Sequence, residues 1–269
     1  MQTTTGKTFL LKSFFPTAAN PFLAGLEDEP GFTFQSAEVN VFTFSKEVIL
    51  CEVNRRPETD GETVETVWRH TGSGIEAKVR YRFFADTNML EFEGTLTNHG
   101  PKVLTDVRGP FSLYFHSLLP QESVPQLTWL NGGASTEGCF PPPAYAVNQV
   151  DLPLGSGKTL FGGRLGGRST ETEIPTVIVT DPAQQAGFVA VFEWPCRSIF
   201  SVSRSVTDIS VLAHTAYTNF DLKPGETVAL PRVLLGFFQG DVHAGSNQLR
   251  RHVVRHVMRP VRHLPRCRR

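Results

Sequence analysis

The sequence predicts an all-β protein, one large antiparallel sandwich followed by a single C-terminal helix. Three observations carry this. Apolar and polar residues alternate at period two in segment after segment. Clusters of Gly, Pro, Asn and Asp separate those segments. Strand-like runs nowhere alternate with helix-like ones, as a parallel sheet would require. The chain has 269 residues, 40% of them hydrophobic, enough for a real core, and large sandwiches reach this length as one domain.

Taken in order, Phe32–Phe34, Val39–Phe44 and Val48–Val53 read as the first strands. From Glu76 to Phe83, Ala77, Val79, Tyr81 and Phe83 fall on one face and Glu76, Lys78, Arg80 and Arg82 on the other, the pattern of a half-buried strand. Leu90, Phe92, Gly94 and Leu96 repeat it, and Asp86-Thr87-Asn88 between them predicts an antiparallel hairpin. Further strands are expected at Phe111–Phe115, Thr176–Thr180, Phe188–Phe192, Ile199–Ser203 and Ile209–Leu212. Thr227–Leu230 and Val233–Phe237 flank Pro231, which implies an edge or a bulge. Asn98-His99-Gly100-Pro101, Asp181-Pro182 and Lys223-Pro224-Gly225-Glu226 are turns. Phenylalanine (21 residues) far outnumbers tyrosine (4), which suits a core where a hydroxyl would need a partner.

Two stretches differ. Leu130 to Gly167 is rich in Gly and Pro and reads as a long loop poor in strands, of the kind that often carries function. Ser246 to Met258 reads as the one helix: Ser246 as N-cap, Leu249, Val253, Val257 and Met258 as a narrow apolar stripe, Pro260 as its end. The expected division is a sandwich over 1–242 and a linker helix with a basic tail over 243–269.

The formal net charge of zero hides an asymmetry: 26 acids and 26 bases. After Asp241 there is no acid but there are eight arginines, so the first 241 residues carry 26 acids against 18 bases, a net of −8. The tail holds no aromatics for base stacking, so a solvated linker is expected and no nucleic-acid partner. No apolar run approaches the length of a membrane span, and no leader pattern precedes Pro16. The four cysteines, Cys51, Cys139, Cys196 and Cys267, lack metal or redox spacing. A cytoplasmic protein without cofactor, metal or membrane partner is the expectation.

Several motifs are weighed and set aside. Gly155-Ser156-Gly157-Lys158-Thr159 resembles a phosphate loop, but the first glycine that a Walker A loop needs falls on Leu152. His252 and His256 have a metal-ligand spacing, yet arginines interleave with them and no acid or cysteine lies near in sequence. They are expected on a solvated helix face. His99 and His116 allow a galactose-mutarotase-like reading, with a histidine as general acid on an aldose. His99, however, sits at a hairpin end where it is a good turn residue.

The run from Asp221 to Gly236 (DLKPGETVALPRVLLG), then Gly240-Asp241, then Asn247-Gln248-Leu249-Arg250-Arg251, resembles the N-terminal domain of glycoside hydrolase family 36, the α-galactosidases or melibiases. Gly187 to Pro195 (GFVAVFEWP) is similar to a strand of that family, although the second tryptophan expected after it is replaced by Cys196-Arg197-Ser198. Leu96 to Gly100 also fits. The resemblance covers about residues 20–260. It implies a supersandwich of galactose-mutarotase type that packs on a catalytic barrel. The family's two carboxylates lie on that barrel, downstream of this chain's last residue, so no catalytic residue carries over. Truncation, a non-catalytic role and a galactoside-type carbohydrate partner are the resulting expectations. If the domain walls a sugar site, the resemblance points to Trp194, with Glu193 and Arg197 beside it, and to Trp129 before Asn131-Gly132-Gly133 as a weaker second. A stand-alone epimerase or carbohydrate-binding module is the alternative. The helix stripe, left without a barrel, predicts self-association.

Overall fold

Among the described residues, sixteen strands form two antiparallel sheets that face each other across one core. The structure is a computed structural model and describes residues 20–24, 33–37, 40–42, 47–132, 147–163, 172–195, 197–216 and 219–258. The expected strand positions Phe32, Val39, Thr43 and Phe44 and the tail from Arg259 onward lie outside those residues.

In chain order the elements are α1 (Pro21–Ala24), β1 (Thr33–Gln35), β2 (Asn40–Phe42), β3 (Val48–Glu58), β4 (Gly61–His70), β5 (Ile75–Phe84), β6 (Met89–Asn98), β7 (Leu104–Leu118) and β8 (Gln126–Asn131). Then come β9 (Val147–Asp151), β10 (Gly157–Gly162), β11 (Glu173–Asp181), β12 (Ala186–Glu193), β13 (Ser198–Arg204), β14 (Asp208–Thr215), β15 (Asn219–Leu222), β16 (Thr227–Gln239) and α2 (Val242–His252), which runs on as a π-helical turn over Val253–Val257. One sheet has nine strands in the order β3-β4-β5-β6-β16-β12-β11-β8-β9. The other has seven, β10-β13-β14-β7-β1-β2, with β15 also on β7.

The alternating pattern places the core. Ala77, Val79 and Tyr81 pair with Leu96, Gly94 and Phe92 across the β5–β6 hairpin and bury their side chains in the main cluster. The turn closes with Asn88 at φ 52, a left-handed conformation that asparagine tolerates. Phe188 of β12 meets Phe115 of β7 edge-on, with ring centroids 5.4 Å apart. That contact joins the two sheets. Pro231 lies inside β16, a central strand, and the register against β6 shifts between Leu230 and Val233. It marks a bulge rather than an edge.

Two expectations need correction, and one motif already set aside stays so. The described residues of the stretch from Leu130 to Gly167 are not strand-poor: they hold the end of β8 and all of β9 and β10. The phosphate-loop look-alike is a turn that feeds β10, which pairs with β13, so no helix follows the glycines. The helix begins at Val242, with Asp241 as N-cap, its carboxylate accepting from the amides of His243 and Ala244 at 3.0 and 3.1 Å. Ser246 is therefore interior.

The helix lies on the outer face of the nine-stranded sheet, over β16, β12 and β11. There Met89, Val189, Leu234 and Phe238 form a second, smaller cluster, against which Ala244 and Leu249 pack. The residues α2 buries most deeply are Gly245, Gln248 and His252. A Cβ on Gly245 would come within 2.6 Å of Phe238 Cζ, so glycine permits this close approach. Of the predicted stripe, Leu249 is covered, whereas Val257 and Met258 remain exposed.

Candidate functional site

β12 ends on Glu193, and Trp194 is the next residue. Side chains alternate across a strand, so these two neighbours leave the sheet on opposite faces. Trp194 follows Phe188, Ala190 and Phe192 onto the inner face and packs, partly buried, against the main core. Its indole Nε1 is buried and has no hydrogen-bond partner among the described residues. Glu193 turns outward and receives Arg232 Nε of β16 at 2.5 Å. Arg232 also reaches Glu91 at 3.6 Å. Burial raises the Glu91 carboxyl above its ordinary range, with Arg232 pulling it back. One guanidinium thus serves two carboxylates. A groove of about 520 Å³ runs along this strand end, lined by Ile174, Pro175, Thr176, Trp194, Pro195 and Arg232 among others.

Arg197 lies one residue before β13, beyond the Trp194 turn, and is partly buried. Trp129 sits elsewhere. It stands on β8 opposite Val177, and Val177 faces Ala190 of β12, so Trp129 is two strands away from Trp194 and well inside the sheet. Lys158 Nζ sits 5.1 Å from the centroid of its ring, a cation–π contact that occupies one face. The structure brings Trp194 and Glu193 to one groove and leaves Trp129 apart from them.

The two histidines that the epimerase reading offers as alternatives lie apart. His99 follows β6 in the nine-stranded sheet, while His116 lies on β7 of the other. His116 alternates with Phe115 and Ser117, both fully buried, and so points away from the space between the sheets. His99 belongs to a cleft of about 760 Å³ that also includes Cys51, Arg69, His70, Glu76 and Lys78. Glu76 is its buried centre: Arg69 Nε donates to it at 2.8 Å, and His99 Nε2 stands 3.5 Å away. Burial opposes the charge of Glu76, yet Arg69, with His99 and Lys78 behind it, holds the carboxyl below its ordinary range. The turn itself is built by Asn98, whose buried amide donates to the carbonyls of Lys102 and Leu222, both at 2.9 Å.

The helix histidines also differ from expectation. His252 is fully buried, not solvated, because the β5–β6 turn folds up against the helix. Its Nδ1 meets Thr87 Oγ1 at 3.2 Å, and its Nε2 is buried without a partner among the described residues. His256 stacks on Phe84 and meets Asp86 at 2.9 Å. Among the described residues no three His, Cys, Asp or Glu side chains group in a way that could hold a metal ion. No helix of the described residues is long and apolar enough to cross a membrane.

No family model matches the sequence, and no curated protein does. Solved structures do match. The GH36 α-galactosidase AgaA from Geobacillus stearothermophilus, in complex with stachyose, superposes with a TM-score of 0.68 over 87% of this chain and 33% of its own, at 14% identity. The chain has the fold of that third of an α-galactosidase. An α-galactosidase from Lactobacillus brevis gives a TM-score of 0.63 over 83% of this chain and 30% of its own, at 15% identity. The galactosidase domain of the α-galactosidase–sucrose kinase AgaSK gives 0.65 over 81% and 31%, at 14% identity. The chain therefore spans about a third of the length of the galactosidases it matches. This likeness establishes the supersandwich fold.

Proposed function

We propose that the chain is a non-catalytic supersandwich domain of an α-galactosidase-type hydrolase, with the Trp194 strand end forming a side wall of a carbohydrate site. The observation that carries this is the groove at the end of β12. Trp194 is only partly buried, and Arg232 lines the same groove. An aromatic body with a few polar groups is the usual lining for a sugar. The solved relatives, one of them in complex with stachyose, support the ligand class. Among the described residues that line the groove Glu193 is the one acid, and Arg232 holds it, whereas glycoside hydrolysis needs a pair of carboxylates. The alternative, an epimerase with His99 or His116 as general acid, would need one histidine beside a free carboxylate, and the acid beside His99, Glu76, is already held by Arg69.

Two measurements test this. The chain alone should release no galactose from raffinose, and release that scales with chain concentration would overturn the non-catalytic assignment. The protein has three tryptophans, so indole resonances in a nitrogen-15 spectrum are easily followed. Titration with raffinose should shift the Trp194 signal, leave Trp68 in place, and lose its effect in Trp194→Ala. A Trp194 signal that stays fixed at tens of millimolar sugar would remove the side-wall role while leaving the fold assignment intact.

A further inference from the structure

The nine-stranded sheet ends on β3, and ten of its eleven residues, Ile49 to Glu58, are exposed. An edge strand presents unpaired backbone N–H and C=O groups, and proteins blunt such edges with bulges and prolines. β3 carries one of each. Its register against β4 shifts between Leu50 and Glu52, which places a bulge at Cys51. Pro57, near the other end, has no N–H to give. Between them five residues run regularly, with Glu52, Val53, Asn54, Arg55 and Arg56 opposite Val67, Thr66, Glu65, Val64 and Thr63. That is an ordinary strand length left unprotected.

The five residues are self-complementary. Val64 and Trp68 of β4 point into the core, so Glu52, Asn54 and Arg56 share the outer face. Two copies pairing antiparallel about a two-fold axis must oppose residues of the same face. A register centred on Asn54 sets Glu52 of each copy against Arg56 of the other, twice. Centred on Val53, it would set the bulged Cys51 against Arg55. Centred on Arg55, it would bring Pro57 into the ladder. Only the first satisfies the charges and avoids both blunted positions. Arg56 is available, with 63% of its side chain exposed and one surface bridge to Glu65 at 3.1 Å.

We propose that β3 is a self-pairing edge, through which two copies of this chain join antiparallel over Glu52–Arg56, with a two-fold axis beside Asn54. The contact is isologous, and it continues one nine-stranded sheet into the next. A patch this small falls below the size of standard interfaces, so the dimer should be weak and salt-sensitive.

The test is sedimentation velocity on the full chain from low to high micromolar concentration. A reversible dimer is expected. Glu52→Arg or Arg56→Glu alone should weaken it about tenfold or more, because like charges then oppose each other directly. The double exchange should restore it. Both side chains are exposed, so the fold should survive, and circular dichroism checks that it has. In a Cys51→Ser background, Asn54→Cys should oxidise to a covalent dimer, since opposed Cα atoms on the axis lie about 4.5–5.5 Å apart. Replacing exposed Val254 and Met258 by serine should leave the dimer unchanged. A monomer at every concentration, no rescue by the double exchange, no Asn54→Cys cross-link, or loss of the dimer on changing the helix face would each overturn the proposal.

Discussion

His252 is a titratable ring held inside the protein. Burial, with His256 behind it, lowers its imidazole to about 4 from an ordinary 6.5. Asp86 opposes this shift, and Arg232 and Arg82 reinforce it. The folded pKa lies below the unfolded one, so the unfolded chain takes up the proton first. Stability from this group is intact above pH 6.5, falls as pH drops toward 4, and is lost by at most ~3 kcal/mol. Denaturant unfolding between pH 7 and 4.5 should show that loss, and His252→Leu should flatten it. Parallel profiles for the two proteins would show that the slope comes from other groups. The burial itself was not legible in the sequence. Thr87, its hydrogen-bond partner, lies 165 residues away, and the neighbouring arginines made the segment read as solvated. Glu193 poses the same difficulty, because Arg232 binds it from 39 residues away. Trp194, by contrast, was legible as a strand-end aromatic.

Elements differ in how openly the sequence announces them, and packing explains why. The β5–β6 hairpin shows plainly, because its inward positions are apolar and its turn is Asp-Thr-Asn. β4 escapes notice because polar Thr66 and His70 share its inward face with Val64 and Trp68. Thr66 is tolerated there because its hydroxyl accepts from Trp68 Nε1 at 2.8 Å. The helix is visible in the sequence, but its cap is misplaced by five residues. Leu249 suggested a cap at Ser246, whereas the capping carboxylate is Asp241, directly after the positive-φ Gly240. Removing that cap should matter. Asp241→Ala leaves the His243 amide without its partner and the Ala244 amide with the backbone carbonyl of residue 241 alone, and such changes cost about 1 kcal/mol. A midpoint shift of that order in urea is the expected result, while Ser246→Ala should be near neutral. A larger effect at Ser246 would return the cap to where the sequence suggested it.

At the scale of the molecule, one cluster unites both sheets and α1. Phe188 is its hinge: its ring lies 5.3 Å from Phe22 of α1, 5.4 Å from Phe115 of the seven-stranded sheet and 6.2 Å from Phe237 beside it on β16. All four rings are almost wholly buried. The sheets have no second inward surface to share, so neither can keep its apolar face dry without the other, and they should unfold together. Phe188→Ala removes the ring that touches all three neighbours and leaves a void in a close-packed interior, a change that costs about 3–5 kcal/mol. The loss should appear in one cooperative transition, with near- and far-ultraviolet circular dichroism coincident in wild type and variant alike. The strand order also predicts slow folding. β16 pairs with β6 and β12 at the centre of the large sheet, and Thr227 opposite Thr97 closes a loop of 130 residues. Non-local pairing of this kind delays the transition state, so refolding of Phe188→Ala should slow if the ring is already packed there. Unchanged refolding with faster unfolding would place the union of the sheets after the barrier. Two separate transitions would mean that each sheet has a core of its own.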